Sequence, residues 1–267
     1  MPESFYERDG DRFLATGLTR GPWDPGAQHA GPPAALLARA FERLGGGRLA
    51  GGDGPPAQVG RVTFEIVGSV PIAPVRVEAE VLRPGKRVEL VAGTLRGEDG
   101  RPLIWARGWR LRRGEVQFPD PPGAPRPMPG PGRGKTVDYV QTDQEDGYHS
   151  AMEVRFVTGA FLEPGPARVW LRMKVPLIAG EDPSPLERVL IAADAGNGVS
   201  APLDWRRFLF INVDLSVHLH RMPEGEWIGL DAVTVPEHSG IGMSDSALHD
   251  ERGRIGRAAQ TLLVDGR

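Results

Sequence analysis

VELVAGTLRGEDGRPLIWARGWRL (residues 88–111) and IGMSDSALHDERGRIGRAAQTLLV (residues 241–264) read as one hairpin written twice. The turn Glu98-Asp99-Gly100-Arg101 of the first lies over Glu251-Arg252-Gly253-Arg254 of the second. The match extends outward: residues 27–111, moved along by 153 positions, fall on 180–264 without a gap. The helix-like run Pro32–Leu44 then covers Pro185–Asn197. A repeat of this size implies two similar halves in one body. Differences between the copies then become informative. Asp194 replaces Phe41, Asn212 replaces Val59, and Gln260 replaces Arg107. The second copy is expected to carry chemistry and the first mainly shape.

Each half has the same order of elements. Short strand regions come first (Arg12–Thr16; Glu153–Ala160 and Arg168–Lys174), then a helix (Pro32–Leu44; Pro185–Ala195), then long strands. The strands are Val59–Val67, Val75–Leu82, Val88–Leu95 and Leu103–Leu111, answered by Phe208–Leu219, Trp227–Val235, Ile241–Leu248 and Ile255–Val264. Both helices open on Pro, whose missing N–H is not needed in a first turn. Ser184 is the expected N-cap of the second, with Glu187 as its capping-box partner. Leu36, Leu37 and Ala40 follow helical spacing. In Leu209–Leu219 apolar odd positions alternate with Asn212, Asp214, Ser216 and His218, the period of a half-buried strand. One helix and a run of antiparallel strands, made twice, give an α+β fold in which each sheet curls around a helix.

Between the halves, Phe118–Gly134 is dense in Pro and Gly. Repeated prolines remove backbone donors and fix φ, so neither a helix nor a central strand passes through. The expected organisation is a first unit over 1–117, a linker and polar connection over 118–150, and a second unit over 151–267.

Composition bounds the function. The 267 residues suffice for a substantial core, and 40% hydrophobic with 25% charged residues is ordinary for a soluble globular protein. A net charge of −3 offers no footprint for nucleic acid or an anionic membrane. Lys occurs only at positions 86, 135 and 174, so the other 29 basic residues are Arg; with abundant Gly, Ala and Pro this reflects a GC-rich genome rather than a binding role. The absence of Cys excludes disulfides, thiolate metal sites and cysteine nucleophiles. No apolar run approaches the roughly 20 residues that span a bilayer, and no signal peptide is evident, so a cytoplasmic location is expected.

The segments His29–Leu37, Ala192-Ala193-Asp194, Glu226-Trp227, Leu230-Asp231-Ala232 and the run from Gly240 to Val264 together resemble the double-hotdog acyl-CoA thioesterases. The likeness is to the acyl-CoA thioesterase II type and its actinobacterial thioesterase-like relatives, and it covers most of the chain outside the linker. It implies a tandem hotdog fold, two antiparallel sheets each wrapped around one helix, and hydrolysis of acyl-CoA with no bound cofactor and no metal. Joining of hotdog sheets edge to edge within the chain leaves room for a homodimer of such double units. In that family an Asp, a hydroxyl residue and a Gln orient the attacking water. Asp194 and Gln260 match the first and third; the hydroxyl position falls on Asn212, where the relatives have Thr.

The chemistry is coherent in physical terms. Hydrolysis of a thioester needs an oriented water, a base and an oxyanion site. Asp194 would take the water proton while Asn212 and Gln260 hold its remaining hydrogen bonds. Backbone N–H groups near Gly31, at the positive end of the first helix, are the oxyanion candidates. His29 is a candidate contact to the thioester or the pantetheine arm. Strand alternation puts Asn212 opposite Leu209 and Ile211, so the site requires a bulge there or a seam between the halves.

Other signals are weaker. His218 and His220 share a strand face without further metal ligands at set spacing. Trp105 and Trp109 are read as core or interface packing, or as an acyl-tunnel wall. Gly130–Thr136 ends like a phosphate loop, but Pro129 stands where its first Gly belongs and Pro131 removes an amide. No Gly-x-Ser-x-Gly elbow is present, nor the Asp-x-Asn-x-x-His run of hotdog hydratases. The competing expectation from the same fold is a non-catalytic acyl or acyl-CoA binding protein.

Overall fold

The computed structural model describes residues 3–50, 56–119, 127–137 and 144–267. Residues 120–126 of the expected linker and 138–143 of the connection lie outside that set. Strands β1 (Tyr6–Asp9) and β2 (Arg12–Ala15) precede helix α1 (Gly31–Arg43), and β3 (Ala57–Ile66), β4 (Pro74–Arg83), β5 (Val88–Arg96) and β6 (Pro102–Arg112) follow it. The stretch read as a polar connection carries β7 (Lys135–Thr136) and a one-turn helix α2 (Tyr148–Ala151). The second half then runs β8 (Met152–Ala160), β9 (Glu163–Met173), α3 (Pro185–Ala193), α4 (Gly196–Val199), β10 (Phe208–Asn212), β11 (Asp214–Leu219), β12 (Ile228–Pro236), β13 (Ile241–Asp250) and β14 (Gly253–Gly266).

The strands of the described residues form one antiparallel sheet in the order β1-β2-β4-β5-β6-β3-β11-β14-β13-β12-β9-β8-β7, with β10 also on β14. The expectation of two sheets is corrected here, because β3 and β11 pair from Glu65↔Asp214 to Arg61↔His218 and join the halves. That ladder removes two edges that would otherwise expose unpaired backbone. The duplication survives in the order itself: read toward the join, β2-β4-β5-β6-β3 on one side is answered by β9-β12-β13-β14-β11 on the other. At the centre of the join Thr63 faces Ser216, and these two are separated by the repeat offset of 153. An approximate two-fold axis passes between them.

Helix α1 packs against β3, β4 and β5, helix α3 against β9 and β12, and the two helices pack on each other. Ser184 caps α3 as expected: its hydroxyl accepts from the Glu187 amide at 3.2 Å, and the Glu187 carboxylate accepts from the Ser184 amide at 3.0 Å. α1 has no side-chain cap at Ala30, and Gly31 opens it. A Cβ on Gly31 would stand 2.8 Å from the Ile191 carbonyl oxygen, so the absent side chain lets α1 approach α3. The main hydrophobic core draws on both halves, among them Leu36, Leu37 and Phe64 with Val169, Leu190 and Leu248. Trp105, read as core or interface packing or as a tunnel wall, is 50% exposed and so is no part of the core.

Two local features shift the sequence reading. The expected strand 208–219 is two strands. β10 pairs Asn212 with Leu262, whereas β11 pairs Ser216 with Ala259, one residue out of step. The extra residue, Val213, is a bulge, and it reverses which alternate positions face inward. Phe210 is buried before it, and Leu215, Val217 and Leu219 after it. An irregularity at the matching place, between Val59 and Arg61, marks the first half. Second, the gapless repeat is one residue out beyond the hairpin turn. Gly108 pairs with Val91, and Gln260 with Ser244, so the structural counterpart of Gln260 is Gly108 and not Arg107. The turn between β13 and β14 is shorter by one residue, which sequence matching alone absorbs unnoticed.

Candidate active site

Asp194 ends helix α3 with 3% of its side chain exposed. A buried carboxylate at the negative end of a helix is doubly unfavourable. It persists because Asn212 and Gln260 donate to one oxygen and the His29 ring stands beside the other. The Asn212 amide nitrogen donates to Oδ1 at 2.9 Å, and Gln260 Nε2 reaches the same oxygen at 3.3 Å. His29 Nδ1 lies 2.9 Å from Oδ2.

Each donor is itself held. Gln260 Nε2 also donates to the Asp194 carbonyl at 3.1 Å, while its Oε1 accepts from the Asn197 amide at 3.2 Å. That pair fixes which end of the Gln260 amide faces the carboxylate. Asn212 Nδ2 is shared with the Asp214 carbonyl at 3.3 Å. The Val213 bulge is what turns Asn212 inward, meeting the condition that strand alternation imposed. His29 is pinned at its backbone by the Thr19 carbonyl at 2.7 Å. Its ring stacks on Tyr148 with centroids 3.8 Å apart and an interplanar angle of 3°. The Tyr148 hydroxyl donates in turn to the Ile191 carbonyl at 2.8 Å.

The Gly31 amide approaches His29 Nδ1 at 3.2 Å. Nδ1 thus accepts from the start of α1 while lying beside Oδ2 of Asp194. Gly31 is absent from the cavity wall and stands behind His29. The start of α1 reaches the cavity through Ala30 instead.

The cluster opens on a cavity of about 490 Å³, a volume suited to a small organic ligand. His29, Asp194 and Asn212 line it at one place, and Trp23, Trp205 and Phe210 form an apolar wall elsewhere. Trp23 and Phe210 meet edge to face with centroids 4.8 Å apart. Gln260 is 2% exposed and acts on Asp194 from outside the cavity lining. Four of the five residues singled out in the sequence therefore meet around Asp194, and one of them, His29, comes from the half expected to supply only shape. Tyr148, Trp23 and Trp205 carried no periodic or motif signal. Trp109 and Trp105 lie away from the cavity. His218 and His220 are exposed, and among the described residues no group of three His, Asp or Glu side chains converges on a metal-sized site. No helix of the described residues is long and apolar enough to cross a membrane.

A family model for the acyl-CoA thioesterase C-terminal domain matches residues 120–264, and one for the N-terminal domain of the same family matches residues 19–111. The chain belongs to the acyl-CoA thioesterase family. Solved structures share the fold. A candidate thioesterase II from Thermobifida fusca YX superposes with a TM-score of 0.76 at 20% identity, covering 99% of this chain and 98% of the other. A conserved protein of unknown function with a hot dog fold from Alicyclobacillus acidocaldarius gives 0.73 at 14% identity, covering 98% and 96%. The acyl-CoA thioesterase II TesB2 of Mycobacterium marinum gives 0.61 at 13% identity, covering 98% and 94%. No curated protein matches the sequence. Thioester hydrolysis is thus the family's chemistry, and the polar cluster borders the cavity.

Proposed function

We propose that this protein hydrolyses acyl-CoA thioesters to the free acid and CoA at the Asp194 cluster. The observation that carries the reading is the convergence of His29, Asn212 and Gln260 on one buried carboxylate at the wall of an otherwise apolar cavity. Buried polar groups that converge on an apolar pocket are the usual mark of a reaction centre. The apolar wall of Trp23, Trp205 and Phe210 suits an acyl group, and the polar corner suits the thioester carbon and a water. The partial positive charge at the start of α1, which meets the cavity at Ala30, favours the oxyanion that forms on attack.

Asn212 serves where the relatives have Thr, because its amide reaches Asp194 with a donor as a hydroxyl would. The experiment is thiol release from a panel of acyl-CoAs of graded chain length, followed spectrophotometrically with purified protein. Turnover of at least one member, abolished by Asp194→Ala, is the expected result. Saturable acyl-CoA binding without release would replace this reading with that of an acyl-CoA binding protein.

A further inference from the structure

Among the described residues, strand β10 pairs with β14 alone, which leaves it one free edge. Its bonds to β14 come from alternate residues. The Val213 amide donates to the Thr261 carbonyl at 3.0 Å, and the Arg207 carbonyl accepts from the Arg267 amide at 3.0 Å. The register between them is unbroken from Phe208↔Gly266 to Asn212↔Leu262, so Leu209 and Ile211 also turn to β14. The main-chain groups of Phe208, Phe210 and Asn212 therefore turn to the open side. Phe210 is 1% exposed, and its carbonyl there needs a donor from the protein. Asn197 supplies one, with Nδ2 2.9 Å from that oxygen.

We propose that Asn197 is a positioning residue for the hydrolytic site, holding both amides that keep Asp194 in place. The proposal rests on the hydrolase reading above and deepens it. The main-chain N–H of Asn197 donates to Gln260 Oε1 at 3.2 Å, which turns Nε2 of that amide toward Asp194. Its side chain anchors β10 two residues before Asn212, whose Nδ2 donates to Asp194 Oδ1 at 2.9 Å. Asn197 is 5% exposed and follows Asp194 by three places. One buried residue thus ties both donors to the segment that carries the carboxylate.

The setting of Asn197 fits this role. A Cβ on Gly196 would come 2.7 Å from Ser246 Oγ and 3.2 Å from Gln260 Oε1. Its missing side chain lets α4 sit close on β13 and β14 and brings the next amide within reach of Gln260. Asn197 also lines the cavity, together with Asp194 and Asn212. The repeat sets Leu44 of the first half against Asn197, and that leucine packs on the hydrophobic core. An apolar residue has given way to a polar one here, as Phe41 has to Asp194.

The variant Asn197→Ala removes the bond to the Phe210 carbonyl and keeps the main-chain bond to Gln260. The measurement is kcat and KM of full-length wild type, Asn197→Ala, Asn212→Ala and the double variant on an acyl-CoA the wild type turns over, with thermal melts of all four. Misplacing a reacting group by 1 Å costs up to about 10²-fold in rate. Asn197→Ala is therefore expected to fold, with kcat lower by about 10–100-fold and KM changed only a few-fold. In the Asn212→Ala background the same substitution is expected to change kcat by a few-fold at most, because the group it positions is gone. Asn197→Ser keeps a donor on a shorter arm, and its kcat is expected between those of wild type and Asn197→Ala. Should only the Ser variant fold, the comparison across backgrounds is made with it. A fall in kcat by the same factor in both backgrounds marks a purely structural role and overturns the proposal. So does a folded Asn197→Ala within a few-fold of wild-type kcat, which leaves the Asp194 reading standing. Failure of both variants to fold assigns the residue to stability alone and overturns it as well. Absence of wild-type turnover across the whole panel overturns both readings.

Discussion

Phe41 in the first half and Asp194 in the second hold matching places in the duplicated unit, and each stands over the matching residue of a strand. Phe41 closes over Gly108, where a Cβ would come 3.1 Å from its ring, while Asp194 reaches Gln260 at 3.3 Å. A large side chain over a small one has been exchanged for a small one over a large one. The first half thereby becomes solid core, with Phe41 fully buried and Val59 2% exposed. The second keeps space for polar groups and a cavity.

Asn212 stands where the family resemblance implies Thr, and its contribution is measurable. Asn212→Ala removes a donor to a buried carboxylate, an interaction of about 1.5–3 kcal/mol, so kcat should fall about 10–100-fold. Asn212→Thr keeps a donor but on a shorter arm, and its kcat should fall between wild type and the Ala variant. Steady-state kinetics on one acyl-CoA decides it. An Ala variant with wild-type kcat would remove Asn212 from the site.

Gly31 tests whether the closeness of α1 and α3 matters to the site. Ala at this position gains roughly 1 kcal/mol of helix propensity. Its Cβ nevertheless meets the Ile191 carbonyl oxygen at 2.8 Å, a backbone atom that can yield only if the helices part. Gly31→Ala should be less stable by about 1–3 kcal/mol in chemical denaturation. It should also lose activity, because His29 and Asp194 face each other across that same contact.

Glu187 makes stability depend on pH. Burial, with a smaller push from Glu42, lifts its carboxyl from the usual 4.5 to about 7, against the Ser184 amide that lowers it. Between those two values the folded protein holds a proton that the unfolded chain releases. Stability from this group is therefore complete below about 4.5 and falls as the pH rises to about 7. Glu187→Gln keeps the capping-box geometry and removes the titration. Its advantage over wild type should be small at low pH and reach about 1–3 kcal/mol above neutrality, read from denaturation curves across pH. A pH-independent difference would contradict the assignment.

Much of this was legible in the sequence because duplication makes pattern visible. Two helices opening on Pro, the Ser184–Glu187 box and the order of long strands all reflect local chemistry that the fold obeys. Asp194, Asn212 and Gln260 stood out because polar residues had replaced apolar or unrelated ones at matched places. What escaped the sequence was non-local or small. His29 meets Asp194 only because two helices cross, and no spacing along the chain records that. The shortened β13–β14 turn moves every later residue to the other face of its strand, yet barely disturbs a sequence match. That slip is why Gln260 was set against Arg107 rather than Gly108. The Val213 bulge is likewise one residue, and it decides whether Asn212 faces the site or the solvent.

The central claim is that the Asp194 cluster hydrolyses acyl-CoA, and the most direct measurement is the rate of CoA release by wild type and Asp194→Ala, both verified as folded by thermal melt. The account predicts turnover by the wild type on at least one acyl-CoA and a fall of about 10²–10⁴-fold in the variant. Equal rates in the two proteins, or none in the wild type across the panel, would contradict it.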